Sequence, residues 1–234
     1  MPSFEAVVVT YQQDFPKLKR CLDGMQSHGL GHGYERVVVV LHDDRSLLDT
    51  ARAFIPDNIR FDLVHYSEFA EWVGPLDWHS QQWIKLAVSK IVSAEWYLLI
   101  DSDVIFYGAV DYSDLFYKNK AFERRTLLTD LRTESVDQLG NAYAYWQHPM
   151  DNVTHYMRDI TPFMMHTHTA RTMLPQVDPA IFDPWSGKPT TQEFLLWSAY
   201  LDQQGIKDQL YQPLSQMTSR IETNCHPSWE EQVR

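Results

Sequence analysis

Hydrophobic positions in the first hundred residues alternate between two periods. Phe4 to Tyr11 (FEAVVVTY) is a short β-branched run, the pattern of a strand buried on both faces. Phe15, Leu18, Leu22 and Met25 then fall at helical spacing, and Asp14 stands where a side chain can cap that helix. Glu35 to His42 (ERVVVVLH) predicts a second buried strand. Leu47, Leu48, Ala51 and Phe54 share one face of a short helix that Ser46 can cap and that Pro56 and Asn58 end. Arg60 to His65 predicts a third, half-exposed strand, and Ser80 to Ser93 a helix with Ile84, Ala87, Val88 and Ile91 on one side. Glu95 to Asp101 (EWYLLID) predicts a fourth strand. Strands and helices alternating over short connections indicate a mainly parallel sheet covered by helices, with right-handed crossovers.

Beyond about residue 108 the pattern loosens. Arg125 to Leu131 predicts a strand, Thr167 to Leu174 and Thr191 to Gln203 predict helices, and Lys207 to Tyr211 predicts a last short strand. Residues 133–160 are polar and aromatic without a clean period. Gly29, Gly31 and Gly33 follow a helix instead of opening one, so they predict a loop and no phosphate cradle. No repeat, low-complexity tract or Gly/Ser linker divides the chain. The expectation is one domain over residues 1–234, with an α/β half to residue 108 and an elaborated half from 109.

Composition narrows the function classes. The 234 residues are 44% hydrophobic, enough to bury a sizeable core without covalent staples. Twenty Lys and Arg against 31 Asp and Glu give a net charge of −11, which argues against a protein held on nucleic acid by a basic surface. Two cysteines, Cys21 and Cys225, make no disulfide framework and suit a reducing compartment. No apolar run approaches the ~18–20 residues of a membrane span. Met1 to Thr10 has no basic region ahead of its apolar run and no small-residue cleavage site, so it does not read as a signal peptide. A cytoplasmic protein without a membrane span is therefore expected. Eight Trp supply rings that serve cores and also stack on sugars and bases.

The chemistry concentrates at Trp96–Tyr97–Leu98–Leu99–Ile100–Asp101–Ser102–Asp103, where a buried strand runs into two carboxylates one residue apart. In open α/β sheets ligands gather at the carboxyl ends of the strands. Side chains at i and i+2 of extended backbone point the same way, so Asp101 and Asp103 can face one ion or its water shell. Two carboxylates plus a diphosphate are a ligand set for Mg²⁺ or Mn²⁺. The competing reading is a strand end with an Asx turn and solvated carboxylates. His166 and His168 (MMHTH) form an H-x-H that could bind a transition metal on a strand, or line an acceptor pocket. Gln81, Gln82 and Lys85 lie in the opening turns of a helix whose N-terminus favours anions.

The stretch WYLLIDSDVIFYG resembles the Asp-x-Asp region of the GT-A-fold glycosyltransferases, which use nucleotide sugars. VVVTYQQDFPKLKRCLDGM is similar to that family's opening strand, loop and first helix, and DWHSQQWIKLAVSKIVSAEWYLLIDSD to the helix leading into the metal strand of bacterial members. The likeness covers residues 4–108. Later only Thr161–Pro162–Phe163 and Gln192–Glu193–Phe194 match. It implies a GT-A-like, Rossmann-like sheet, and a second half that binds the acceptor. It implies that Thr10 and Tyr11 touch the base or ribose, that Asp43 and Asp44 hydrogen-bond the same part, and that Gln82 lies near the donor. Asp101 would contact the ribose or a metal-bound water, Asp103 would ligate the metal, and His226 (NCHPSW) would complete the metal shell. Lys85 would add a cation beside the diphosphate or beside the sugar it departs from, Trp78 and Trp83 would pack over the donor sugar, and Glu193, or else Asp183, would deprotonate the acceptor hydroxyl if the reaction inverts. The implied partners are a nucleoside-diphosphate sugar and a hydroxyl acceptor on a glycan, with modified phage DNA as the lesser alternative. A sugar-phosphate nucleotidyltransferase and a non-catalytic nucleotide-sugar-binding protein stay open. The first is disfavoured because Thr10–Tyr11–Gln12–Gln13–Asp14 carries neither Gly nor Lys.

Overall fold

The protein is described from a computed structural model covering residues 1–28, 34–72, 74–130, 133–158, 161–214 and 225–227. Gly29, Gly31 and Gly33 lie outside the described residues. The first half alternates β1 (Phe4–Thr10), α1 (Phe15–His28), β2 (Val37–Leu41), α2 (Leu48–Arg52), β3 (Phe61–His65), α3 (Trp78–Ala87) and β4 (Trp96–Asp101). The second half carries β5 (Val104–Phe106), α4 (Tyr112–Leu115), β6 (Phe116–Tyr117), β7 (Lys120–Glu123), β8 (Arg125–Leu127) and α5 (Thr133–Tyr145). It continues with β9 (His155–Met157), β10 (Phe163–His166), α6 (Thr167–Met173), α7 (Glu193–Gln204), α8 (Lys207–Leu210), β11 (Tyr211–Pro213) and β12 (Cys225–Pro227).

The central sheet runs β3, β2, β1, β4, β10, the first four parallel and β10 antiparallel to β4. All seven residues of β1 and all five of β2 are buried, as strands covered on both faces must be. The chain builds outward from β1 to β3, then returns through α3 to lay β4 on the other side of β1. The connection changes direction between β1 and β4, and their carboxyl ends border the crevice where such sheets bind ligands. Val9 pairs with Asp101 in this register, so the Asp-x-Asp segment leaves the sheet beside the end of β1.

The amino end of the sheet is closed differently. Glu5 is fully buried there, and Oε1 accepts the Ser93 and Ala94 amides at 3.0 and 3.2 Å. Arg36 Nε stands 3.1 Å from Oε2, so this carboxylate is neutralised and structural.

Several boundaries differ from the sequence expectation. The short helical segment after β2 is capped by Asp44, whose Oδ1 accepts the Ser46 amide at 2.8 Å, and not by Ser46. Helix α3 begins at Trp78, two residues early, because Asp77 caps it. Lys207–Leu210 is a helical turn, and the last strand before the tail is Tyr211–Pro213, paired with β7. The stretch without a clean period contains α5, whose buried residues Leu139, Ala142 and Tyr143 fall at i, i+3 and i+4, with Trp146, just past its end, at i+7. Trp146 also donates from Nε1 to the Leu196 carbonyl at 3.0 Å, packing the end of α5 on α7.

Candidate active site at the sheet switch point

A cleft of about 690 Å³ opens at the carboxyl ends of β1, β2 and β4. Its walls come from Val9 and Tyr11 to Asp14 after β1, His42 and Asp43 after β2, Leu76 to Trp78 and Gln81 at the start of α3, and Asp101 to Asp103 after β4. Lys17 on α1 completes it. Five aspartates (Asp14, Asp43, Asp77, Asp101 and Asp103) face one lysine in this lining.

Each wall is fixed locally. The Asp43 carboxylate accepts the Gln12 amide at 3.1 Å and the Asp44 amide at 2.8 Å, tying the loop after β2 to the loop after β1. His65 Nε2 lies 2.7 Å from the Asp43 carbonyl. Asp14 accepts Ser102 Oγ at 3.3 Å and pairs with Lys17 at 2.7 Å, tying α1 to the Asp-x-Asp segment. Its hydrogen bond and charge, with Asp103 contributing, hold the Lys17 ammonium above its ordinary pKa despite some burial. Tyr11 is also pushed up, by burial first and then by Asp14.

The α3 side of the cleft rests on a capping box. Asp77 Oδ1 accepts the His79 and Ser80 amides at 2.8 and 3.2 Å, and Ser80 Oγ accepts the Asp77 amide at 2.9 Å. Ser80 Oγ also donates to the Asp77 carbonyl at 2.8 Å and meets His42 Nε2 at 2.6 Å. Burial lowers His42 to about 4, so the ring is neutral at neutral pH.

Behind Asp101 lies a buried charge group. Lys85 Nζ stands 2.8 Å from Asp101 Oδ1 and 3.1 Å from Glu193 Oε1. The Lys85 and Glu193 side chains are 4% and 2% exposed, against 35% for Asp101. Thr161 Oγ1 donates to Asp101 Oδ2 at 2.8 Å, and Lys85 Nζ lies 5.5 Å from the centre of the Phe194 ring. Burial raises the Glu193 carboxyl against the opposing pull of Lys85. The two carboxylates hold the Lys85 ammonium well above its ordinary pKa although burial acts against it.

The structure brings together on the cleft Tyr11, Asp43, Asp101, Asp103, Trp78 and Gln81. It places others elsewhere. Thr10 is fully buried at the end of β1. Asp44 is a helix cap. Gln82 is buried and donates to the Trp78 carbonyl at 3.1 Å, while its neighbour Gln81 reaches the cleft. Lys85 sits behind Asp101, and Lys17 is the lysine that lines the cleft. Glu193 is buried on Lys85. Asp183 accepts the Trp185 amide at 2.9 Å in a turn and is absent from the cleft walls. Trp83 is buried and donates to the Glu71 carbonyl at 2.9 Å.

The H-x-H pair is not a strand site. His166 ends β10 and hydrogen-bonds Thr169, whereas His168 is exposed on α6. His166 pairs with Trp96, five residues before Asp101 and so roughly 16 Å away along the strand. His226 lies in β12 opposite Ile105, which puts its backbone beside the segment leaving Asp103. Among the described residues no three His, Cys, Asp or Glu side chains gather as a ligand set. The sequence does not point to His42, Ser80, Asp77 or Lys17 here, and gives Thr161 only as part of a matching stretch, without a role. Asp77-x-x-Ser80 carries a capping signal, and His42 follows a strand; the others depend on contacts distant in sequence.

A model for a family of unknown function, DUF6492, matches residues 25–232. The chain belongs to DUF6492. The matched region of this DUF6492 protein includes β2, α3, β4 and α7, hence His42, Lys85, Asp101 and Glu193, while β1 and Tyr11 precede it. No curated protein matches the chain. Among the described residues, no helix is long and apolar enough to cross a membrane.

Proposed function

We propose that this protein is a metal-dependent glycosyltransferase of GT-A-like fold that moves a sugar from a nucleoside-diphosphate donor to an acceptor hydroxyl. The observation that carries the reading is the cleft at the switch point, walled by Asp101 and Asp103 and strongly acidic overall. An anionic diphosphate enters five carboxylates and one lysine favourably only with a cation between them. Carboxylate oxygens beside a diphosphate are the donor set that Mn²⁺ or Mg²⁺ takes. The residues present therefore fit such an ion, with Asp103 as its direct ligand and Asp101 next to it. When bound, the ion would neutralise negative charge growing on the leaving diphosphate.

The protein's own residues do the rest. Lys17 supplies a side-chain cation at the cleft, and Tyr11 and Trp78 supply aromatic surface for the base or sugar. Asp43 faces the ribose side. The pairing of Lys85 with Asp101 orients that carboxylate. A glycan is the favoured acceptor, because a net charge of −11 opposes binding to duplex DNA.

The test is incubation with UDP- and GDP-sugars and Mn²⁺. Metal-dependent release of nucleoside diphosphate supports the proposal. Pyrophosphate release from NTP and sugar phosphate would instead indicate a nucleotidyltransferase. Metal-dependent binding without turnover would indicate a binding protein.

A further inference from the structure

We infer that Glu193 is a positioning residue for the donor side of the cleft, fixing the Asp101 carboxylate through Lys85, and does not act on the acceptor. This rests on the nucleotide-sugar reading above. Glu193 is 2% exposed at its side chain and is absent from the cleft walls, so no hydroxyl in the cleft reaches it in this conformation. What it does reach is Lys85. An ammonium has three donors, and its two ion pairs direct Lys85 toward Asp101 on one side and Glu193 on the other. With Glu193 in place the ammonium is held from both sides.

Asp101 is therefore gripped at both oxygens, Oδ1 by Lys85 and Oδ2 by Thr161. The grip comes from α3, from α7 and from the segment entering β10. Two of these belong to the second half of the chain, which thus sets the orientation of a carboxylate at the end of β4. Phe194, next to Glu193, stacks on Phe163 with ring centres 4.1 Å apart and lies beneath Lys85, so α7 docks on β10 at the same point. A carboxylate clamped this way presents one fixed face to the cleft, which is what binding a ribose hydroxyl or an ion's water shell in a single pose requires.

The experiment compares wild type, Glu193→Gln and Thr161→Val as full chains. It measures apo melting temperature, calorimetric affinity for UDP and GDP with Mn²⁺, and KM and kcat for donor turnover. A positioning role predicts that both variants weaken nucleotide affinity and raise KM by about fivefold while kcat stays within about threefold, the signature of lost uniform binding. Thr161→Val changes no charge and tests the other grip on Asp101, and Glu193→Asp, measured in the same way, tests Glu193 itself should Glu193→Gln fail to fold. A kcat loss of about 100-fold or more in Glu193→Gln with unchanged affinity would mark a group acting on the acceptor and overturn the inference. Unchanged affinity and turnover in both variants would overturn it as well. Wild-type protein that binds neither nucleotide overturns the functional reading itself, and this inference with it.

Discussion

Lys85 Nζ and Asp101 Oδ1 meet at 2.8 Å behind the wall of the cleft, the lysine side chain 4% exposed and the aspartate 35%. The pair joins the last turn of α3 to the last residue of β4, and Glu193 closes it from α7. Removing the cation would leave the Glu193 carboxylate, 2% exposed, without its partner. Losing one partner of a buried ion pair costs about 3–5 kcal/mol. Lys85→Met should lower stability by that order in urea unfolding at neutral pH. An unchanged midpoint would show that the pair carries no structural load.

His42 makes the fold sensitive to mild acid. Its imidazole is held near 4 by burial, against 6.5 for an exposed ring. Between those values the unfolded chain takes up the proton and the folded chain does not. The stability linked to His42 is therefore complete above pH 6.5 and is lost as pH falls toward 4, by roughly 3 kcal/mol in all. Urea midpoints measured at pH 7.5 and pH 5 should fall less in His42→Gln than in wild type. Equal falls would mean that the ring titrates normally.

Asp77 starts α3 and with it the α3 wall of the cleft. Asp77→Ala leaves the His79 and Ser80 amides without their acceptor and should cost about 1 kcal/mol. Asp77→Asn, which retains a capping oxygen, should recover most of that in thermal melts. Equal losses in the two variants would argue that the charge matters and the cap does not.

The first half was legible because its strands are buried on both faces and therefore spelled in Val, Ile and Leu, as in EAVVVT and RVVVVL. Asp101 and Asp103 were legible for the same reason, since a buried strand ending in carboxylates stands out. Helix α5 was obscured because its stripe is built from Leu139, Ala142, Tyr143 and Trp146 among polar residues and Gly140. Lys85 at the opening of a helix suggests an exposed cation. Its burial depends on Glu193, 108 positions later, and no local pattern encodes a pairing over that distance. Lys17 is hidden in the sequence because a lysine in the first turns of an amphipathic helix carries no signal of its own. Asp183 and Asp44 have the spelling of site carboxylates, but each accepts a nearby backbone amide, the usual work of Asp in turns and caps.

On the proposed function, a divalent ion held at Asp103 carries the nucleotide's diphosphate. Calorimetric titration of UDP and GDP, with and without Mn²⁺, into wild type and Asp103→Ala tests it most directly. Manganese-dependent binding in wild type, its loss in Asp103→Ala and a nearly unchanged apo melting temperature are the predicted result. Nucleotide binding that ignores manganese, or survives intact in Asp103→Ala, would contradict the account.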